Sequence, residues 1–172
     1  MAFRLRFFLA TSAKNVLFDN LVPIKGAPWD VLPPGVHITT LAEVATTFAT
    51  NTKRRLLYDG LLLAATALRI AGCGKLYLDG SYVTAKNVPG DYDGCWDPAG
   101  MDRAQLDPVF LDFSNKRQAM KNKFGGEFFP SSAPNTPTQT FLDFFQVEKF
   151  TGQAKGILLI GLTADPALLG RA

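Results

Sequence analysis

Lys75-Leu76-Tyr77-Leu78-Asp79-Gly80-Ser81 alternates in character and ends on a glycine and a serine; after nine further residues, Asp91-Tyr92-Asp93 begins the next strand-like segment. The first run predicts a short strand, Lys75 to Asp79, closed by a Gly-Ser turn. The second predicts a strand from Asp91 to about Trp96. Residues two apart on a strand point to the same face, so Asp91 and Asp93 present two carboxylates side by side. Like charges a few ångströms apart repel, and burying them unpaired costs several kcal/mol. A divalent cation offsets such a pair, and Mg²⁺ takes one or two carboxylates together with substrate phosphates. Gly80 permits close backbone approach and N–H groups at a helix start attract phosphate. Asp-x-Asp alone also describes a polar turn after Pro89-Gly90; the strand and Gly-Ser turn ahead of it set this instance apart.

Upstream, apolar residues from Leu56 to Ile70 recur at three- and four-residue spacing, which predicts a long helix from about Thr52 to Ala71. Thr40 stands three residues before Glu43, the signature of a capping box, and predicts a shorter helix from Leu41 to about Thr50. Pro33-Pro34-Gly35 punctuates the chain ahead of it. Residues 1–36, rich in proline and glycine, read as an irregular extension, and 37–172 as the domain proper.

Downstream, Pro108 to Phe113 reads as a buried strand and 115–123 as an amphipathic helix. Glu127-Phe128-Phe129 suggests a further strand, and 130–139 a loop. Phe141 to Phe150 suits a helix or a strand, and Gly156 to Leu162 has the length and apolarity of a strand. The expected class is α+β: a long helix towards the N-terminus, then a mixed β-sheet packed with helices.

Composition narrows the function. A chain of 172 residues buries roughly 70% of its unfolded surface and needs no staple to fold. A net charge of +3 is too small to mark a nucleic-acid protein by itself. The clusters Lys53-Arg54-Arg55 and Lys116, Arg117, Lys121, Lys123 read individually as solvated helix faces. Two cysteines, Cys73 and Cys95, lack zinc spacing, and the single histidine, His37, leaves little room for a histidine-based triad. Cys95 and the aromatic group Phe141, Phe144, Phe145 and Phe150 read as core. Residues 1–13 imitate a signal peptide, but the apolar stretch is far shorter than the usual 7–15 residues. A soluble, cytoplasmic protein without membrane contact is expected.

Gly80-Ser81 followed after nine residues by Asp91-Tyr92-Asp93 resembles the minimal signature of the DNA polymerase β-type nucleotidyltransferase superfamily. Leu32-Pro33-Pro34-Gly35, Leu78 to Thr84, Gly90 to Asp93, Phe144-Phe145-Gln146 and Thr151 to Ile157 more narrowly resemble a small uncharacterised bacterial family of predicted nucleotidyltransferases, over about residues 31–163. The resemblance implies a nucleotidyltransferase-like fold and transfer of NMP from an NTP to a tRNA or protein hydroxyl. It implies two Mg²⁺ (or Mn²⁺) ions and a setting in a bacterial toxin–antitoxin or defence module, with a cognate toxin or antitoxin as partner. A catalytically inactive nucleotide-binding or interaction module on the same fold is the alternative.

By the same resemblance Gly80 and Ser81 bind the triphosphate, and Asp91 and Asp93 are catalytic metal ligands. A third carboxylate is expected on a neighbouring strand; Asp112 is assigned to it, with Asp107 and Asp97 as rivals. Arg117, Lys121 and Lys155 are the candidates to meet the nucleotide, with Lys86 as a fourth.

Overall fold

A computed structural model describes residues 21–170. The signal-like stretch 1–13 lies outside them.

Five strands form one mixed sheet: β1 (Gly35–Thr39), β2 (Lys75–Asp79), β3 (Tyr92–Trp96), β4 (Gly126–Pro130) and β7 (Gly156–Gly161), in the order β1-β7-β2-β3-β4. β1 runs parallel to β7 and β3 parallel to β4, while β2 is antiparallel to both of its neighbours. A two-stranded hairpin, β5 (Pro134–Thr136) and β6 (Gln139–Thr140), stands apart from it. The helices are α1 (Leu41–Phe48), α2 (Thr52–Ile70), α3 (Gln118–Phe124) and α4 (Phe141–Phe145).

The expected capping box is formed: Thr40 accepts from the Glu43 amide, and the Glu43 carboxylate accepts from the Thr40 amide. Asn51 caps α2 in the same way, accepting from the Arg54 amide. Of the apolar residues of α2, Leu57, Leu61, Ala64 and Leu68 are buried together with Ala65, whereas Leu56, Leu63 and Ile70, counted in the stripe by their spacing, are exposed.

Strand alternation separates two cores. Leu76, Leu78, Tyr92, Phe128, Leu158 and Ile160 face one side and pack with α1, α2 and α3 in the larger cluster. Tyr77, Cys95, Phe129 and Ile157 face the other side, where α4 supplies Phe141, Leu142 and Phe145. The helical side is thickly covered and the α4 side only partly, so a polar site has room on the second face alone.

Three expectations change. The segment Pro108–Leu111 is a 3₁₀ helix, started by Pro108 and capped by Asp107, whose carboxylate accepts from the Val109 amide. A proline at the first position suits a helical turn and removes a donor that a central strand would need. Residues 130–139 contain the β5–β6 hairpin. The boundary placed after residue 36 falls inside β1, and Leu32 is already part of the main core, so the residues from 32 to 36 belong with the domain.

Candidate functional site

On the thinly covered face the register sets Asp79 of β2 opposite Asp93 of β3, and Asp93 opposite Glu127 of β4. Residues paired in register share a face, so three carboxylates stand in a row across three adjacent strands. Neighbours are roughly 5 Å apart at the backbone. Asp91 lies two residues before Asp93 and extends the row on the same side.

The outer members of this row carry partners. Asp79 is 4% exposed and receives the Lys155 ammonium, which also donates to the Phe145 carbonyl at 2.6 Å. Burial pushes the Asp79 carboxyl up and Lys155 opposes that push. Glu127 is 6% exposed and pairs with the Arg117 guanidinium and, at 2.9 Å, with the Lys121 ammonium. Lys121 lies 3.2 Å from Asp91 on its other side, so one ammonium spans two carboxylates.

Asp93, in the middle, is different. Its carboxylate makes no hydrogen bond or ion pair with any described residue. Burial, reinforced by the charges of Asp91 and Asp79, raises its pKa to about 6. Such a group is poised to take a cation or a proton.

Gly80 follows Asp79 with φ +82° and lies against Asp93: a Cβ there would come within 2.5 Å of Asp93 Oδ2. Both its backbone angle and this contact restrict the position to glycine. Ser81 begins a 3₁₀ turn, Ser81–Val83.

The turn is held from behind by Arg54. Its guanidinium, 2% exposed, donates to the carbonyls of Phe48, Tyr82, Thr84, Lys86 and Asn87 and lies over the Tyr82 ring. A buried cation satisfied by five carbonyl dipoles fixes the chain from Tyr82 to Asn87 against α2. The basic cluster read as a solvated helix face thus contains one residue turned inward.

Asp93 lines two adjoining cavities. One, of ≈ 270 Å³, holds Asp79, Gly80, Ser81 and Lys155. The other, of ≈ 310 Å³, holds Arg117, Glu127, Asn135 and Phe141. Arg117 reaches the second from an unusual backbone: Asn115, Lys116 and Arg117 all have positive φ, a left-handed conformation costly for residues with side chains. Its guanidinium lies over the Phe129 ring, 5.2 Å from the centroid, as well as on Glu127.

The structure therefore brings together Gly80, Ser81, Asp91, Asp93, Arg117, Lys121 and Lys155. It does not bring Asp112 to them. Asp112 ends the 3₁₀ helix and its carboxylate accepts from the backbone amide and hydroxyl of Ser114, which hold its pKa below the usual range. It lines neither cavity. Asp107 pairs with Lys123 and Asp97 with Lys75. The carboxylate on the strand beside Asp93 is Glu127.

Among the other residues, His37 Nε2 donates to the Pro33 carbonyl at 2.7 Å, and burial pushes the Cys95 thiol up to about 12, well out of nucleophilic range. Glu127 had a signal in the sequence, an acid inside the apolar strand Gly126–Pro130, but its pairing with Asp93 is visible only once strand order is known.

All the donors in the row are hard carboxylate oxygens, and the central one is unpartnered; that set suits Mg²⁺ or Mn²⁺. Among the described residues no three acidic, cysteine or histidine side chains are already gathered at metal-binding distances. Lys121, Arg117 and Lys155 hold the outer carboxylates instead. No helix among the described residues is long and apolar enough to cross a membrane.

The model of a family of unknown function, DUF6932, matches residues 27–161. No curated protein and no solved structure matches the chain.

Proposed function

The chain belongs to the DUF6932 family, whose function is unknown, and from the geometry of its site we propose that it is a Mg²⁺-dependent nucleotidyltransferase, moving NMP from an NTP to a hydroxyl. The observation that supports this most is the in-register row Asp79–Asp93–Glu127, with its unpartnered centre lying against the Gly80-Ser81 turn. The acceptor class, a tRNA or protein hydroxyl, follows from the resemblance of the Gly-Ser and Asp-x-Asp motifs.

In this reading Asp91, Asp93 and Glu127 would hold two divalent ions, which would supply positive charge for the attacking and leaving oxygens. Gly80 and Ser81 receive the triphosphate in the first cavity, which both of them line. Glu127 lines the second cavity and takes the proton of the acceptor hydroxyl as that oxygen attacks the α-phosphorus. The bond from the α-phosphorus to the bridging oxygen breaks, and pyrophosphate leaves. Arg117 and Lys121, already beside Glu127, supply positive charge to the polyphosphate, Arg117 through a planar fork that matches phosphate. Lys155 neutralises buried Asp79 and so keeps the floor of the site from adding a further charge next to Asp93.

The test is incubation of the purified protein with Mg²⁺ and each α-labelled NTP, using total tRNA or lysate protein as acceptor. Label transfer abolished by Asp93→Asn is expected. Transfer that persists in Asp93→Asn defeats the assignment, and saturable NTP binding without transfer in the wild type makes the protein a binding module.

A further inference from the structure

The ≈ 270 Å³ cavity beside Gly80 and Ser81 continues away from the carboxylates into a region of different chemistry. Its walls there are Trp29, Phe144 and Phe150, and its one acid in that part is Glu148. Trp29 is half-buried, while Phe144 and Phe150 are 42% and 60% exposed. Large exposed aromatic rings gathered in a cavity are costly to leave wet and mark a place where something flat and apolar sits.

Two of the rings carry cations. The Lys86 ammonium lies 4.7 Å from the Trp29 ring centre and is not part of the cavity lining, whereas Lys149, whose ammonium lies 4.8 Å from the Phe150 centre, lines the cavity itself. Trp29, with its cation outside the lining, keeps a face for stacking.

Glu148 adds polarity where none is needed for packing. Its side chain belongs to a residue only 4% exposed. Oε2 accepts the amides of Phe150 and Thr151 at 3.0 and 2.8 Å, which fixes the turn that presents Phe150. Oε1 has no partner among the described residues. That oxygen is not sealed from solvent and is left open to accept a donor from a ligand in the cavity.

We infer that this part of the cavity is a socket for the base of a purine nucleotide: Trp29 and Phe150 supply stacking faces, and Glu148 Oε1 accepts a base N–H. The inference rests on the nucleotidyltransferase reading and adds to it the end of the substrate that the carboxylates do not touch. Because the Gly80-Ser81 turn takes the triphosphate in that reading, the nucleotide lies with its base towards Glu148. A purine offers more stacking area than a pyrimidine, which sets the preference.

Fluorescence serves as readout, because Trp29 is half-buried in the cavity and the other tryptophan, Trp96, is 5% exposed and elsewhere in the core. The full chain is titrated in Mg²⁺ with ATP, GTP, CTP, UTP and inorganic tripolyphosphate, and affinity is confirmed by calorimetry for variants lacking Trp29. At least one purine triphosphate is expected to quench Trp29 and to bind at least about tenfold more tightly than tripolyphosphate. Trp29→Ala and Phe150→Ala each weaken that binding about five- to hundredfold, the range for loss of one stacking ring. Trp29→Phe restores it, and none of the three alters tripolyphosphate binding. Glu148→Gln, which keeps the size of the side chain, weakens the purine nucleotide and leaves tripolyphosphate unchanged.

Equal affinity for nucleotide and tripolyphosphate, or full purine affinity in Trp29→Ala and Phe150→Ala, overturns the socket while leaving the carboxylate site standing. Binding of none of these ligands by the wild type overturns the socket and the nucleotidyltransferase reading together.

Discussion

Asp93 shows how far a single unpartnered carboxylate can work against stability. Folding raises its carboxyl from the ordinary 3.8 to about 6. Because the folded state binds this proton more readily than the unfolded chain, the ionised group costs stability above pH 6, and the cost fades as pH falls towards 4. At 1.36 kcal/mol per pH unit the penalty at pH 7 is roughly 2–3 kcal/mol. Asp93→Asn is therefore expected to raise Tm at pH 7 by several degrees without divalent cation, and by little at pH 4. Calorimetric melts at the two pH values, with Mg²⁺ stabilising the wild type but not the variant, check this. Arg54 differs in its partners: burial works against its charge as well, but five carbonyls accept from its guanidinium. Arg54→Ala leaves those acceptors without their donor and is expected to cost about 3 kcal/mol. Arg54→Lys recovers less than half, since an ammonium lacks the planar fork. Thermal melts of both variants decide it.

At the level of elements, sequence pattern was informative wherever the residues themselves carried the periodicity. The α2 stripe and the Thr40–Glu43 box describe contacts three and four residues apart; the box appears as read, and the stripe does so at Leu57, Leu61, Ala64 and Leu68 but not at the exposed Leu56, Leu63 and Ile70. The Gly80-Ser81 turn and Asp91-Tyr92-Asp93 were legible for the same reason: one strand end and one strand start lie close in sequence. The neighbouring carboxylate was not. Asp112 and Glu127 each sit among apolar residues in sequence, and what separates them is non-local. Pro108 turns the first segment into a 3₁₀ helix, whereas Glu127 is placed by the parallel pairing of β4 with β3. Arg54 stayed hidden because its partners lie on the loop from Tyr82 to Asn87 and at Phe48, and a basic residue in the first turn of a helix looks solvated from sequence alone.

Over the whole molecule, the sheet divides labour between its faces. One face is sealed by α1, α2 and α3 over the larger core, and the other is only partly covered by α4 and the β5–β6 hairpin. Carboxylates at Asp79, Asp93 and Glu127 emerge on the second face because strand alternation puts them opposite Leu78, Tyr92 and Phe128. The two cavities meeting at Asp93 then give the protein one side with a Gly-Ser turn and another with Glu127 and Arg117. The central claim is that Asp93 and Glu127, across adjacent strands, share a divalent cation. Mn²⁺ titration followed by electron paramagnetic resonance tests it most directly, on the wild type, Asp93→Asn, Glu127→Gln and Asp112→Asn. Saturable binding that weakens at least about tenfold in Asp93→Asn and Glu127→Gln, and is unchanged in Asp112→Asn, is the predicted result. Wild-type affinity in Asp93→Asn and Glu127→Gln, or no saturable Mn²⁺ binding by the wild type, contradicts it.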